Sequence, residues 1–190
     1  MRFNSIASFN EYLRVAAPKH PFVDVGEYPK SMLMTSGPVH PNFYRVSLKY
    51  GLEHEKGKGY MYFSSPNQPI QWKAQTPWNG FYINITEDLV STNQHLQYSF
   101  LNYGLHEPLF LNEAEELIIT RQFEEITKEY SKKDYSLDLV LAYCNLIFAH
   151  VSQCYKRQFG ERKKEYNALV NDFFHLLDTY YIQKGNGEIV

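Results

Sequence analysis

No proline occurs after Pro108, although nine are spread through the residues up to it. Proline removes a backbone donor and crowds the preceding helical turn. Its absence leaves the C-terminal part free to run as long helices, and turn-rich structure falls in the N-terminal part. Cysteine is scarce too, with Cys144 and Cys154 the two in the chain. They lie ten residues apart in one predicted helix, which separates them by about 15 Å along its axis. A disulfide needs Cα atoms within about 7 Å. Two thiols that cannot bridge each other fit a reducing cytosol.

An excess of either charge is also missing. Lys and Arg number 19 against 21 Asp and Glu, for a net charge of −2. Residues 1–111 hold 9 basic and 8 acidic side chains, and residues 112–190 hold 10 and 13. Neither part has the basic surplus that neutralises phosphates, so neither reads as a nucleic-acid surface. No uninterrupted apolar run approaches the roughly 20 residues of a membrane span. Met1–Leu13 holds Asn4, Asn10 and Glu11 where a signal peptide needs an apolar stretch. A cytoplasmic protein without membrane association is expected. Nucleophile elbow, P-loop, dinucleotide fingerprint and zinc-binding patterns are all absent. No catalytic residue, metal ligand set or cofactor is therefore assigned.

What the chain does have is aromatic side chains: 16 Tyr, 13 Phe and 2 Trp. Before Leu111 they sit in short alternating runs. Ser8–Leu13 reads as a helical turn capped by Ser8. Phe22–Val25 is extended behind Pro18 and Pro21. In Phe43–Tyr50, Tyr44, Val46, Leu48 and Tyr50 share one face, and Arg45, Ser47 and Lys49 take the other. Tyr60–Phe63, Ile70–Ala74, Phe81–Ile85 and Leu96–Phe100 complete the predicted strands, with an acidic turn at Thr86–Asp88. Short strands without intervening helices argue for a sandwich or barrel.

After Leu111 the period becomes helical. Asn112 caps the first long helix, with Glu115 three residues on, and Ile119, Phe123, Ile126 and Tyr130 form its apolar stripe. A second helix begins near Ser136 with two apolar faces. One is Leu137, Leu141, Cys144, Phe148, Val151 and Tyr155; the other is Leu139, Tyr143 and Leu146, continued by His150. One face can cover the β module, which leaves the second for a partner. A basic stretch at 156–164 reads as a solvated linker, and a third helix is predicted over Asn167–Ile182.

Aromatic walls with a few polar groups are how small-molecule sites are built. Tyr44, Tyr62, Trp72, Trp78 and Tyr82, with His40, Arg45 and Gln71 nearby, are the candidate lining of such a pocket.

Three segments, read in order, carry a resemblance. Lys19-His20-Pro21-Phe22-Val23-Asp24-Val25 is followed by His40-Pro41-Asn42-Phe43-Tyr44-Arg45-Val46, then by Tyr62-Phe63-Ser64-Ser65-Pro66-Asn67-Gln68-Pro69-Ile70-Gln71-Trp72. Together they resemble the N-terminal regulatory half of AraC-family transcription regulators. The resemblance implies an α+β chain: a cupin-like, jelly-roll antiparallel β-barrel followed by two to three α-helices. It implies a sensor module over 1–111, a dimerising region over 112–160, and over 161–190 a linker with the first helix of a DNA-binding domain. The recognition helices would follow Val190. Many members have His-x-His where this chain has His40-Pro41-Asn42, and His-x-Trp where it has Ile70-Gln71-Trp72, so two potential metal ligands are absent.

The expected function is effector sensing and dimerisation in a transcription regulator. A small molecule, with a sugar as one natural candidate, would bind in the barrel. A homodimer would form through Leu139, Tyr143, Leu146 and His150, and DNA would be met only through the missing C-terminal domain. One alternative is a metal-dependent cupin enzyme, an isomerase or dioxygenase, in which His40, His54, His95 and His106 converge. The other is a stand-alone small-molecule-binding cupin.

Overall fold

A computed structural model describes residues 1–50, 59–74, 79–102 and 108–160 of the chain. Trp78, His54, His106 and the predicted third helix lie outside the described residues. The chain divides into two compact units, Met1–Cys154 and Tyr155–Val190. The described part of the second unit is 155–160, where the Tyr155 and Phe159 rings pack with centroids 4.9 Å apart.

The first unit is built on a five-stranded antiparallel sheet. Its strands are β2 (Val23–Glu27), β4 (Tyr44–Tyr50), β5 (Tyr60–Ser64), β6 (Asn79–Ile85) and β7 (Leu109–Phe110), in the order β2-β6-β4-β5-β7. The strands predicted over Phe43–Tyr50, Tyr60–Phe63 and Phe81–Ile85 all form. The sheet is open, with β2 and β7 at its edges, so the closed barrel of the sequence reading does not appear in this sheet. A second, small sheet pairs β1 (Arg2–Phe3) in parallel with β3 (His40–Pro41). Two further bridges, Thr35 to Lys73 and Val39 to Ile70, extend that layer without making a full strand of Ile70–Ala74.

Alternation assigns the two faces of the sheet. Val23, Val25, Val46, Leu48, Met61, Ile83 and Ile85 are all buried on the first. This face meets α3 (Glu113–Ser131), whose Ile119, Phe123 and Ile126 are fully covered, and Phe81 stacks on Phe123 with centroids 5.6 Å apart. Asn112 closes a capping box with Glu115 at the start of α3, as its spacing predicts. Lys19 holds the other end, donating from Nζ to the carbonyls of Ser131 and Lys132.

The last described helix, α4, runs Leu137–Gly160. An 18-residue window of it has mean hydropathy 1.3, so by length and composition it is long and apolar enough to cross a membrane. One side of it packs within the chain. Val140, Cys144, Ile147, Phe148, Val151 and Cys154 are buried, and Phe148 meets Phe100 edge-on at 5.7 Å. Phe100 in turn meets Phe63 of β5 at 5.0 Å, so an aromatic ladder joins the sheet to the helix.

Two predicted elements differ. The N-terminal helix α1 spans Ile6–Leu13 and is capped by Ser5, whose Oγ accepts from the Ser8 N–H at 3.2 Å. Ser8 thus sits inside the helix, because capping from Ser5 buries both Ile6 and Phe9. The segment predicted as an acidic turn and then a strand is helical instead. Helix α2 covers Glu87–Thr92, and 3-10 turns cover Gln94–Leu96 and Ser99–Asn102. Thr86 caps α2 and acidic Glu87 and Asp88 fill its first turn, which favours the helix locally. Leu96 and Phe100, four residues apart, reach the core together from those turns.

Candidate functional site

The second face of the sheet is polar and still buried. Three rungs cross it. In the first, Asp24, Asn84, Arg45 and Ser64 stand side by side on β2, β6, β4 and β5. In the second, Gly26, Tyr82, Ser47 and Tyr62 do the same. In the third, Gly80, Lys49 and Tyr60 are neighbours. Exposure falls to 3% at Asp24, 1% at Asn84, 8% at Arg45 and 9% at Lys49. What covers this face is α1 and the layer behind it, through an apolar cluster that includes Phe9, Tyr28, Met32, Phe43 and Tyr82.

Each polar group is fixed by a specific contact. Asn84 Oδ1 accepts from Arg45 Nε at 3.1 Å, and the guanidinium lies 4.6 Å from the Phe9 ring centre. Because Arg Nε only donates, the Asn84 atom facing it must be the oxygen, and its Nδ2 then has no hydrogen-bond partner. Asn10 donates to Asp24 at 2.7 Å and to the Ala16 carbonyl at 2.8 Å, tying α1 to β2. The Tyr28 hydroxyl donates to Ser47 Oγ at 2.7 Å. Lys49 Nζ lies 5.8 Å from the Tyr28 ring centre and 5.3 Å from that of Tyr62.

Burial governs the ionisation of this face. Desolvation raises the Asp24 carboxyl above its ordinary range, with the Asn10 hydrogen bond opposing it. It lowers the Lys49 ammonium well below its usual value, and the positive charge of Arg45 lowers it further. It also lowers Arg45 and raises Tyr28. Arginine stays charged even so.

The residues proposed from sequence for the pocket are only partly brought together. Arg45, Tyr62 and Tyr82 share the polar face, and Gln71 is exposed. Tyr44, one residue from Arg45, points from the opposite face of β4, as period-two geometry demands. His40 lies on the outer layer, where its Nδ1 donates to the Asn67 carbonyl at 3.2 Å. Asn67 takes a left-handed φ of 63° and its N–H donates to the Pro41 carbonyl at 2.7 Å. His40 therefore anchors the turn at Ser65–Gln68 against β3. Trp72 is half-buried against the apolar cluster and donates from Nε1 to the Leu33 carbonyl at 2.9 Å. No group of three or more His, Cys, Asp or Glu among the described residues could hold a metal ion.

Asp24, Lys49, Asn84 and Tyr28 were missed as site residues. The signal was present in the Arg45-Ser47-Lys49 alternation, but a polar face normally means solvent. Only the position of α1 reveals that this one is covered.

On α4, Leu139 and Leu146 are 49% and 40% exposed, and Tyr143 and His150 are half-buried beside them. No protein-family model and no curated protein sequence matches the chain.

Proposed function

We propose that this chain is the effector-sensing and dimerisation portion of an AraC-type transcription regulator. The five-stranded sheet and the N-terminal layer over its polar face are read as the two walls of a cupin-like jelly roll. The observation that carries the reading is the covered polar face itself. Burying the Arg45 guanidinium beside Asn84, whose Nδ2 has no hydrogen-bond partner, costs stability unless something compensates them. Folding alone would favour apolar residues there, so a face of this composition is better explained by a molecule it must recognise.

The arrangement also suggests how occupancy would reach the helices. Tyr82 and Phe81 are consecutive on β6, the first on the polar face and the second stacked on Phe123 of α3. A displacement of β6 by a ligand is felt at α3, and the Phe63–Phe100–Phe148 ladder offers the same for β5 and α4. A ligand that prefers one of two arrangements would shift their populations by its difference in affinity. Pairing through the exposed Leu139–His150 stripe would carry that shift to a DNA-binding domain C-terminal to α4. A thermal-shift screen of sugars, aromatic acids and other small metabolites tests the reading. At least one class is expected to raise the midpoint by several degrees, and flat responses to every class would sink it.

A further inference from the structure

We propose that the molecule sensed by this chain carries a carboxylate, and that Arg45 receives it on the sheet face covered by α1. The inference rests on the sensing role proposed above and names the chemical class that this site selects.

Arg45 has five N–H donors, and only Nε has a hydrogen-bond partner among the described residues, Asn84 Oδ1 at 3.1 Å. No carboxylate among the described residues lies within ion-pair distance of its guanidinium. The guanidinium carbon lies 4.6 Å from the Phe9 ring centre, and the terminal nitrogens keep their donors for a ligand. Beside it, Asn84 is 1% exposed and its Nδ2 is unsatisfied. The terminal nitrogens of Arg45 and the Nδ2 of Asn84 thus present donors from adjacent strands, with no acceptor for them among the described residues. A buried donor left as Asn84 Nδ2 is left is rare in folded proteins and calls for an explanation.

A carboxylate supplies what is missing. Its two oxygens match the guanidinium fork, and the spare lone pairs can accept from an amide. Asp24 does not fill that role, because its carboxylate lies one strand further along the rung and accepts from Asn10. A neutral sugar could use the same donors but would leave the guanidinium charge uncompensated in a covered site. Lys49, two residues along β4 on the same face, adds a further nitrogen donor. Tyr62 and Tyr82, on the next rung from Arg45, offer ring surface to the organic body of the acid.

The test uses matched pairs on the full chain at pH 7 and fixed ionic strength: benzoate with benzamide, hexanoate with hexanamide, and gluconate with glucose. Binding is read by titration calorimetry. At least one carboxylate should bind about tenfold or more tightly than its neutral partner, as expected for a charge-assisted contact. Arg45→Gln, checked for folding by circular dichroism, should lower that affinity by about 10- to 100-fold. Arg45→Lys should recover only part of it, since lysine keeps the charge without the fork. Neutral partners that bind as well as the acids, or better, would overturn the carboxylate assignment and leave the sensing role standing. No binding in either arm would overturn both. The comparison within each pair needs no variant, so a misfolded Arg45→Gln does not blunt it.

Discussion

The guanidinium of Arg45 lies 4.6 Å from the ring centre of Phe9, so a strand of the sheet and the N-terminal helix meet through a cation over an aromatic face. Phe9 is fully buried and also meets Phe3 and Phe43 edge-on at 5.1 and 5.6 Å. Removing the ring therefore costs both volume and the cation contact. Phe9→Ala should destabilise the chain by about 3–5 kcal/mol. Phe9→Leu keeps most of the volume, and its cost should be about 1–3 kcal/mol. In an Arg45→Met background the Phe9→Leu cost should shrink by about 0.5–2 kcal/mol, the share owed to the cation. Urea midpoints of the four proteins measure that coupling, and strict additivity would show that the contact contributes nothing.

Two glycines on the polar face predict opposite kinds of damage. A Cβ on Gly26 would come within 2.8 Å of the Tyr82 hydroxyl, the far end of a side chain that can turn aside. A Cβ on Gly80, where φ is +136°, would come within 2.0 Å of the Leu48 carbonyl oxygen, and backbone cannot give. Gly26→Ala should cost about 1–3 kcal/mol, in the range of other overpacked sites. Tyr82→Phe should relieve part of that cost by removing the atom in the way. Gly80→Ala should cost more, and no side-chain change on this face should rescue it. Equal costs at the two positions would contradict this account.

Much of the sheet was legible in the sequence, because β4 and β6 alternate cleanly, β5 is a short continuous apolar run, and their turns are marked by proline and glycine. Asn112 and Glu115 announced the start of α3 for the same local reason, since a capping box is written in four consecutive residues. The polar face was not legible. Arg45, Ser47 and Lys49 look like a solvated edge, and only the long-range docking of Phe9 and Asn10 onto them makes an interior. Leu96 and Phe100 failed differently. A spacing of four is two strand periods but close to one helical turn, so their pattern fits either structure. The acidic cap at Thr86–Asp88 was the cue that favoured helix.

Asp24 should make stability fall as pH rises. Burial raises its carboxyl above the ordinary 3.8, so the native state keeps the proton longer than the unfolded chain does. The contribution is complete below pH 3.8 and is lost as pH climbs through the raised native value. Asp24→Asn keeps an oxygen to accept from Asn10 but cannot ionise. Measured by urea unfolding, wild type should therefore lose ground to Asp24→Asn between pH 4 and pH 8. A gap that narrows over that range would mean that the hydrogen bonds from its neighbours outweigh desolvation in the native state.

The exposed stripe on α4 makes a prediction about association. Leu139 is 49% and Leu146 40% exposed, on the opposite side of the helix from the buried Cys144 and Phe148. Covering a leucine completely gains about 1.5–3 kcal/mol. In a two-fold pair, four half-exposed leucines would supply about 3–6 kcal/mol before ordering costs, with Tyr143 and His150 adding area at the flanks. Sedimentation velocity at tens of micromolar should then show a dimer, and the double variant L139E/L146E should be monomeric. Its urea midpoint, extrapolated to low protein concentration, should stay within about 0.5 kcal/mol of wild type, because both positions face solvent within one chain. The two readouts separate the cases. A variant that unfolds would place these leucines in the chain's own core, whereas a wild type that stays monomeric would leave α4 without its proposed partner.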